Sequence, residues 1–349
     1  MARLMAKAAL VAAVLAAPAA RADAVSDFYR GKTINMIVSY GPGGGYDVYG
    51  RIVARHIGKY IPGNPNVIVQ NMPGAGSVIG ANYLYNVAPK DGTSFGIFAR
   101  EIPLVGLLTT SQTVRYDPRK YTWLGSSSSY ANDAYLLMAR KDASAKSIDD
   151  LRRPGAAPLI LGGTAEGVAS DPVQKLFREL LGLNLKVIAG YTDSGQLFMA
   201  MDRKEIDGRT VGLSAVRSTK PDWLRPEGPM HVLAVFARAT RHPDLPNAPT
   251  ARELARTDRD RQIIEVMELP YTLSRPFAAP PGIPADRAKA LQEAFLAVHK
   301  DPQFIAQADK LGIDISPIGA DEVQRMIERI ASTPPELMKS VEKLMSEGG

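Results

Sequence analysis

The chain has no cysteine among its 349 residues. A disulfide framework, a lipid-modified amino-terminal cysteine, a thiolate nucleophile and any cysteine metal site are therefore excluded. Histidine is scarce as well. The four present, His56, His231, His242 and His299, are isolated and lack the spacing of a ligand motif such as H-E-x-x-H. No metal or other cofactor is expected, and His56 and His299 are read as polar positions on helices. A serine-hydrolase elbow, G-x-S-x-G, is also missing, since the nearest run, GAGSVIG from Gly74 to Gly80, has the wrong spacing. Both phosphate motifs fail in the same way. A dinucleotide fingerprint begun at Gly41 and Gly43 needs glycine where Tyr46 stands, and one begun at Gly43 and Gly45 needs it at Val48. A P-loop built on Gly45 and Gly50 would continue Lys-Ser/Thr, but the chain reads Arg51-Ile52. There is no fixed-period repeat and no low-complexity tract.

What is present begins with MARLMAKAALVAAVLAAPAARADA. Arg3 and Lys7 form a basic start, Ala8 to Leu15 an apolar run too short to span a membrane, and Ala20-Arg21-Ala22 an A-x-A cleavage site, with Ala22-Asp23-Ala24 a second one step later. Residues 1–22 are expected to be a signal peptide, which places the mature protein in a periplasm, where disulfides are permitted but not required. No later stretch approaches the roughly 18 to 20 apolar residues of a membrane-spanning helix. Cleavage after Ala22 removes Arg3, Lys7 and Arg21 and no acid, so the formal charge falls from +6 to +3. So mild and dispersed a surplus does not point to nucleic acid, which calls for clustered Lys and Arg. About 330 mature residues exceed what one core usually serves, so two lobes are expected.

Four segments repeat one pattern. Thr33 to Ser39 (TINMIVS) reads as a buried strand and runs into Gly43-Gly44-Gly45, after which Tyr49, Ile52, Val53, Ile57 and Tyr60 recur at helical spacing. Asp47 is the expected N-cap. Val67 to Gln70 leads through Pro73-Gly74-Ala75-Gly76 to a helix capped by Ser77. LILGGT leads to a helix with Ser170 or Asp171 as cap and Pro172 at its first position. LKVIAGYTDSGQLFMAM is the fourth, with Gly190 to Gly195 between strand and helix. Four strand–loop–helix units predict a parallel α/β protein. In such sheets the loops after the strands' carboxyl ends form the ligand crevice, and helix starts there offer N–H groups and a positive dipole end to an anion. Glycine loops also serve tight turns, and caps serve stability, so the anion reading rests on the four loops together.

The blocks GPGGGYD, NMPGAGSVIGANYLYNVAPKDG, the GGT loop before PVQKLFRELLG, GYTDSGQLFMAM, LAVFARATRHPDLPNAPTARE and APPGIPADRAKALQEAFLAVHKDPQF resemble the tripartite tricarboxylate transporter receptor family, the TctC-like or Bug periplasmic solute-binding proteins. The resemblance covers essentially the whole mature chain. It implies an α/β, two-lobed periplasmic binding protein, a type II-like Venus flytrap with two crossing strands. Lobe 1 would comprise residues 25–127 and 239–349, and lobe 2 residues 128–238, with the helix carrying Ala288, Leu291, Phe295 and Leu296 packed on lobe 1. It further implies a monomer that is not an enzyme, that captures a small carboxylate in the interlobe cleft, and that delivers it to membrane permease subunits of a tripartite transporter. Carried over by motif, the ligand-binding residues are Gly43, Gly44, Gly45, Tyr46, Asp47, Ala75, Gly76 and Ser77 in the first lobe. Thr164, Ser170 and Tyr191 are those of the second.

Two positions depart from the family pattern. Tyr46 replaces a common threonine, offering a ring that could stack on a bulkier or aromatic acid, and Glu166 adds a negative charge to the second-lobe loop. Arg209, in IDGRTVG, is placed either to pair bidentately with a ligand carboxylate or to form a surface or interlobe salt bridge. Arg100 and Glu101, after the strand SFGIFA, are expected to satisfy each other, and the serines from Ser126 are expected in an exposed crossover or loop. Two other readings remain open: an exported α/β enzyme acting on a carboxylate, and a sensor-type binding protein feeding a signalling partner.

Overall fold

The computed structural model describes residues 24–108, 112–164, 170–191 and 194–345. The expected signal peptide, residues 1–22, and Glu166 lie outside the described residues. No helix among the described residues is long and apolar enough to cross a membrane.

The strands are, in chain order, β1 (Thr33–Val38), β2 (Asn66–Asn71), β3 (Ser94–Ile97), β4 (Thr122–Ser126), β5 (Tyr135–Arg140), β6 (Leu159–Thr164), β7 (Leu185–Tyr191), β8 (Gly208–Gly212), β9 (Met230–Phe236), β10 (Pro276–Ala279) and β11 (Ile318–Gly319). They form two sheets, ordered β11-β4-β10-β3-β1-β2 and β7-β6-β8-β5-β9. The chain groups into two compact units, one per sheet. Among the described residues, the first holds those from Ala24 to Ser127, Arg275–Asp309 and Pro317–Ile327; the second holds those of Ser128–Ser274, Lys310–Ser316 and Glu328 to Met345.

In the first unit β1 pairs parallel with both β2 and β3, as continuous apolar runs joined by helices should. The run Met36, Ile37 and Val38 is fully buried, whereas edge strand β2 alternates exposed and half-buried residues. The helix Gly45–Ile57 lays Ile52, Val53 and Ile57 into the core, and the helix Ala285–Val298 adds Leu291, Phe295 and Val298. Leu296, expected on that buried face, is instead 39% exposed, because the core stripe runs through positions 291, 294, 295 and 298 at helical spacing. The sheet is mixed: β10 enters antiparallel between β3 and β4, and β11 antiparallel beside β4.

The second unit repeats the plan. β6 pairs parallel with β7 and β8, while β5 runs antiparallel to β8 and β9. Leu136, Met138, Leu197, Phe198, Met201 and Trp223 centre its core.

Segment 239–274, expected in the first lobe, lies in the second unit. The reason is local pairing. Val235 bridges Thr250, capping boxes at Thr250 and Thr257 start the next two helices, and helix Asp258–Thr272 packs on helix Pro335–Met345 of the same unit. The chain returns to the first unit at Arg275, not after β9. Ser126, Ser127 and Ser128, expected to be exposed, are buried where the chain leaves that unit.

Candidate functional site

The carboxyl ends of β1, β2 and β3 converge in the first unit. Gly43, Gly44 and Gly45 are exposed, and the helix starts at Gly45 with Gly44 as N-cap and no side-chain cap. Asp47, expected as that cap, lies inside the first turn and holds the loop from within. Its Oδ2 accepts from the Gly43 N–H at 2.9 Å and from Arg51 Nε at 2.8 Å, and its Oδ1 accepts from Asn71 Nδ2 at 2.8 Å. Asn71 Nδ2 also donates to the Tyr40 carbonyl at 2.8 Å, so the end of β2 is tied to the loop after β1. Burial pushes the Asp47 carboxyl pKa up, but the hydrogen bonds from Arg51, Gly43 and Asn71 outweigh it and hold the group below the usual carboxylate range.

Tyr46 is already engaged. Its ring stacks on Tyr40 with centroids 4.6 Å apart and planes 6° from parallel, and its hydroxyl oxygen accepts from the Arg100 N–H at 3.0 Å. The stacking role anticipated toward an aromatic acid is filled by Tyr40. The Arg275 guanidinium lies 4.6 Å from the Tyr46 ring centroid and 4.8 Å from that of Tyr49.

After β2 the chain makes a left-handed turn. Gly74, Ala75, Gly76 and Ser77 have φ of 134°, 45°, 57° and 83°. Ala75 and Ser77 carry a Cβ in a region that favours glycine, a local strain of the kind that concentrates at functional sites. Ser77 precedes helix Val78–Asn86 but does not cap it, because its Oγ accepts from the Ala99 N–H at 3.0 Å at the end of β3. Thus neither helix start receives a side-chain cap: Gly44 stands at the first and has no side chain, and the Ser77 hydroxyl at the second is turned to the Ala99 N–H. A helix start left without such a cap still presents first-turn N–H donors and a positive dipole end.

In the second unit Thr164 and Tyr191 end β6 and β7 in register with each other. Tyr191 is half-buried against the core, with Cε2 3.5 Å from where a Cβ on Gly162 would stand. Ser170 opens helix Ser170–Lys175 from within instead of preceding it, which puts Pro172 at the third position. Arg209 lies on β8 opposite Gly162 and is 3% exposed. Its guanidinium sits 4.9 Å from the Phe198 ring centroid, and its Nε donates to the Thr210 carbonyl at 3.2 Å. Burial brings its pKa down to about 10. The surface reading of Arg209 is overturned. Beside it, fully buried Gln174 donates from Nε2 to Gly162 and Thr210, while its Oε1 has no hydrogen-bond partner.

In the first unit the candidate residues follow the carboxyl ends of β1 and β2; in the second, Thr164 and Tyr191 end β6 and β7, whereas Arg209 is the second residue of β8. Tyr40, Asn71, Gln174 and Arg275 were not singled out from sequence. Only Asn71, a polar side chain closing a strand beside a glycine loop, carried a local signal. Arg100 meets Glu101 at 3.5 Å, as expected. His299, read as a polar position on a helix, caps the carboxyl end of helix Ala285–Val298 and is buried, 4% exposed, with Nδ1 2.6 Å from the Phe295 carbonyl and Nε2 2.8 Å from Ser127 Oγ. Among the described residues no group of three or more acidic or histidine side chains is arranged to hold a metal ion.

No protein-family model matches the chain. It is 27% identical over 348 residues to Protein BugT of Bordetella pertussis, spanning 94% of this chain and 98% of that protein. A TctC solute binding protein from Polaromonas, solved without ligand, shares the fold at a TM-score of 0.67 and 18% identity, over 89% of this chain and 99% of that one. An R. palustris protein solved with adipate does so at a TM-score of 0.60 and 21% identity, over 89% and 97%. These likenesses bear out the resemblance to the TctC/Bug family and the two-lobed α/β fold of periplasmic binding proteins.

Proposed function

We propose that this chain, similar along its length to TctC/Bug solute-binding proteins, is a periplasmic receptor that captures a small carboxylate and passes it to the membrane subunits of a tripartite tricarboxylate-type transporter. The observation that carries this reading is the pair of helix starts after β1 and β2. Neither has a side-chain cap, since Gly44 stands at the first N-cap and the Ser77 hydroxyl at the second is committed to the Ala99 N–H. Backbone donors at two adjacent helix ends suit a carboxylate, whose oxygens accept several hydrogen bonds at once. Gly43, Gly44, Gly45, Tyr46, Ala75 and Gly76 would provide the first unit's contacts, with Asp47 and Ser77 as their braces. The candidates in the second unit are Thr164, Ser170, Tyr191 and the buried Arg209. The adipate named for the R. palustris structure supports a dicarboxylate as the kind of acid to test first.

The protein acts as a monomeric binder, not an enzyme, and export through residues 1–22 brings it to the periplasm. A thermal-shift screen of the mature protein against aliphatic and aromatic carboxylates and their amides tests this. A ligand at a hundred times its Kd adds about 2.7 kcal/mol, several degrees of Tm. The expected result is a shift with an acid, none with its amide, and recovery of the acid chemically unchanged. A shift only with neutral or cationic solutes would overturn the carboxylate reading, and turnover of the bound acid would favour an enzyme.

A further inference from the structure

We propose that Asn71 is the positioning residue of the first unit's carboxylate site: a single side-chain nitrogen holds both ends of the glycine loop, an inference that rests on the receptor reading above. Asn71 is the last residue of β2, and the loop it holds, from Tyr40 to Asp47, follows the neighbouring strand β1. Its Nδ2 donates to the Tyr40 carbonyl, where the loop begins, and to Asp47 Oδ1, in the first turn of helix Gly45–Ile57, each at 2.8 Å. Its Oδ1 accepts from Arg51 Nη2 at 2.8 Å, one turn further along that helix. The partners fix which way the amide faces, because a carbonyl and a carboxylate only accept and a guanidinium only donates. Asparagine supplies two donors and an acceptor on a short stem; leucine, of similar shape, supplies neither.

Each bond reaches a second group. The one to the Tyr40 carbonyl fixes the backbone of the residue whose ring lies on Tyr46. The one to Asp47 orients the carboxylate that receives the Gly43 N–H. Directly after Asn71 the Met72 N–H donates to the Val38 carbonyl at 2.8 Å, and the left-handed turn from Gly74 to Ser77 follows. The same amide therefore sets the helix start after β1 against the helix start after β2. Glycine loses more freedom on ordering than any other residue, so a loop of three glycines left untied would have to be ordered at the expense of affinity. Held from the neighbouring strand, it meets the acid already in place.

The probes are succinate, glutarate, adipate and their diamides, screened by thermal shift and then titrated calorimetrically with the acid that gives the largest shift. Wild type is compared with Asn71→Leu, with Asn71→Ala, whose smaller side chain leaves room for a bridging water, and with Arg51→Ala, which keeps both Nδ2 bonds. Near-ultraviolet circular dichroism checks that each variant is folded, and either Asn71 variant suffices for the test. The expected result is about a tenfold loss of acid affinity in Asn71→Leu, a smaller loss in Asn71→Ala, and less than about threefold in Arg51→Ala. Hydrogen exchange read by mass spectrometry should quicken over residues 40–48 of the free Asn71 variants, stay as in wild type over β1, and slow again with saturating acid. Unchanged affinity in a folded Asn71 variant would overturn the positioning role while leaving the receptor reading standing. So would a loss of affinity with exchange unchanged in the loop, or quickened throughout β1 as by a purely structural tie. A wild type that responds to diamides as well as to acids, or to none of these probes, would remove both.

Discussion

The two units build the same end of the same kind of sheet in chemically different ways. In the first, the candidate residues are exposed glycines braced by a carboxylate, Asp47, and strained turn residues tied through Ser77 to Ala99. In the second, the distinctive group is a cation, Arg209, sunk to 3% exposure against Phe198 and beside the fully buried Gln174. A shared strand–loop–helix pattern thus fixes where a site lies without fixing its chemistry, because the side chains that complete each end come from other elements.

The sharpest way to break this contrast is to add one methyl group to each unit. At Gly208 an added Cβ would stand 2.2 Å from the Met138 backbone carbonyl, which the β5–β8 pairing holds in place. Gly208→Ala is expected to cost about 3 kcal/mol in chemical denaturation. At Gly80 the added Cβ would stand 2.3 Å from Ser39 Oγ, which can rotate away, and 2.9 Å from Ser39 Cβ, which moves only with its backbone. Because that second overlap is smaller and alanine also favours the helix, Gly80→Ala should cost less, about 2 kcal/mol. Equal losses would mean that the two sheets yield alike.

Next in size is Asp47→Ala. It strands the Gly43 N–H, Arg51 and Asn71, and should cost about 2 kcal/mol while weakening carboxylate binding, because the loop loses its brace. A variant with unchanged stability and binding would show that the glycine loop holds its shape unaided.

The smallest net effect is the response to pH, because the units oppose each other. Burial takes His299 in the first unit down to about 4 from the usual 6.5. The unfolded chain therefore takes up a proton before the folded one does, and stability present above pH 6.5 is lost as pH falls toward 4. In the second unit burial raises Glu268 to about 7 from 4.5, against the opposing pull of Arg252, whose Nε lies 2.5 Å away. The folded state then holds its proton more tightly, so stability rises as pH falls from 7 to 4.5. Melting temperatures between pH 7.5 and 4.5 should fall more steeply in Glu268→Gln than in wild type, and less steeply in His299→Asn. Parallel profiles would show that neither group contributes.

The four strand–loop–helix units were legible because β-branched runs ending in glycine loops are local signals. What the sequence concealed depends on distant partners. Asp47 reads as a cap until Asn71, on another strand, turns it into a brace. Ser77 reads the same way until Ala99 takes its hydroxyl. The ring of Tyr46 looked available until Tyr40 covered it. His299 reads as a polar position on a helix, and its burial follows from the packing of Ser127 and Phe295. Segment 239–274 carries no compositional break, so only the Val235–Thr250 bridge and the helix contacts reveal its unit.

The position of β10 between β3 and β4 also dictates an order of assembly. When the chain has been delivered only as far as Ser127, β1, β2 and β3 can pair, but β4 has no neighbour in the sheet, since both strands it will bond, β10 and β11, lie 150 or more residues later. Closing so long a loop is a slow, non-local step. The segment Ser128–Ser274, by contrast, contains every strand of its own sheet. The unit whose chain is threaded first therefore finishes its sheet last, and until then it carries open strand edges, the kind that invite misplaced pairing.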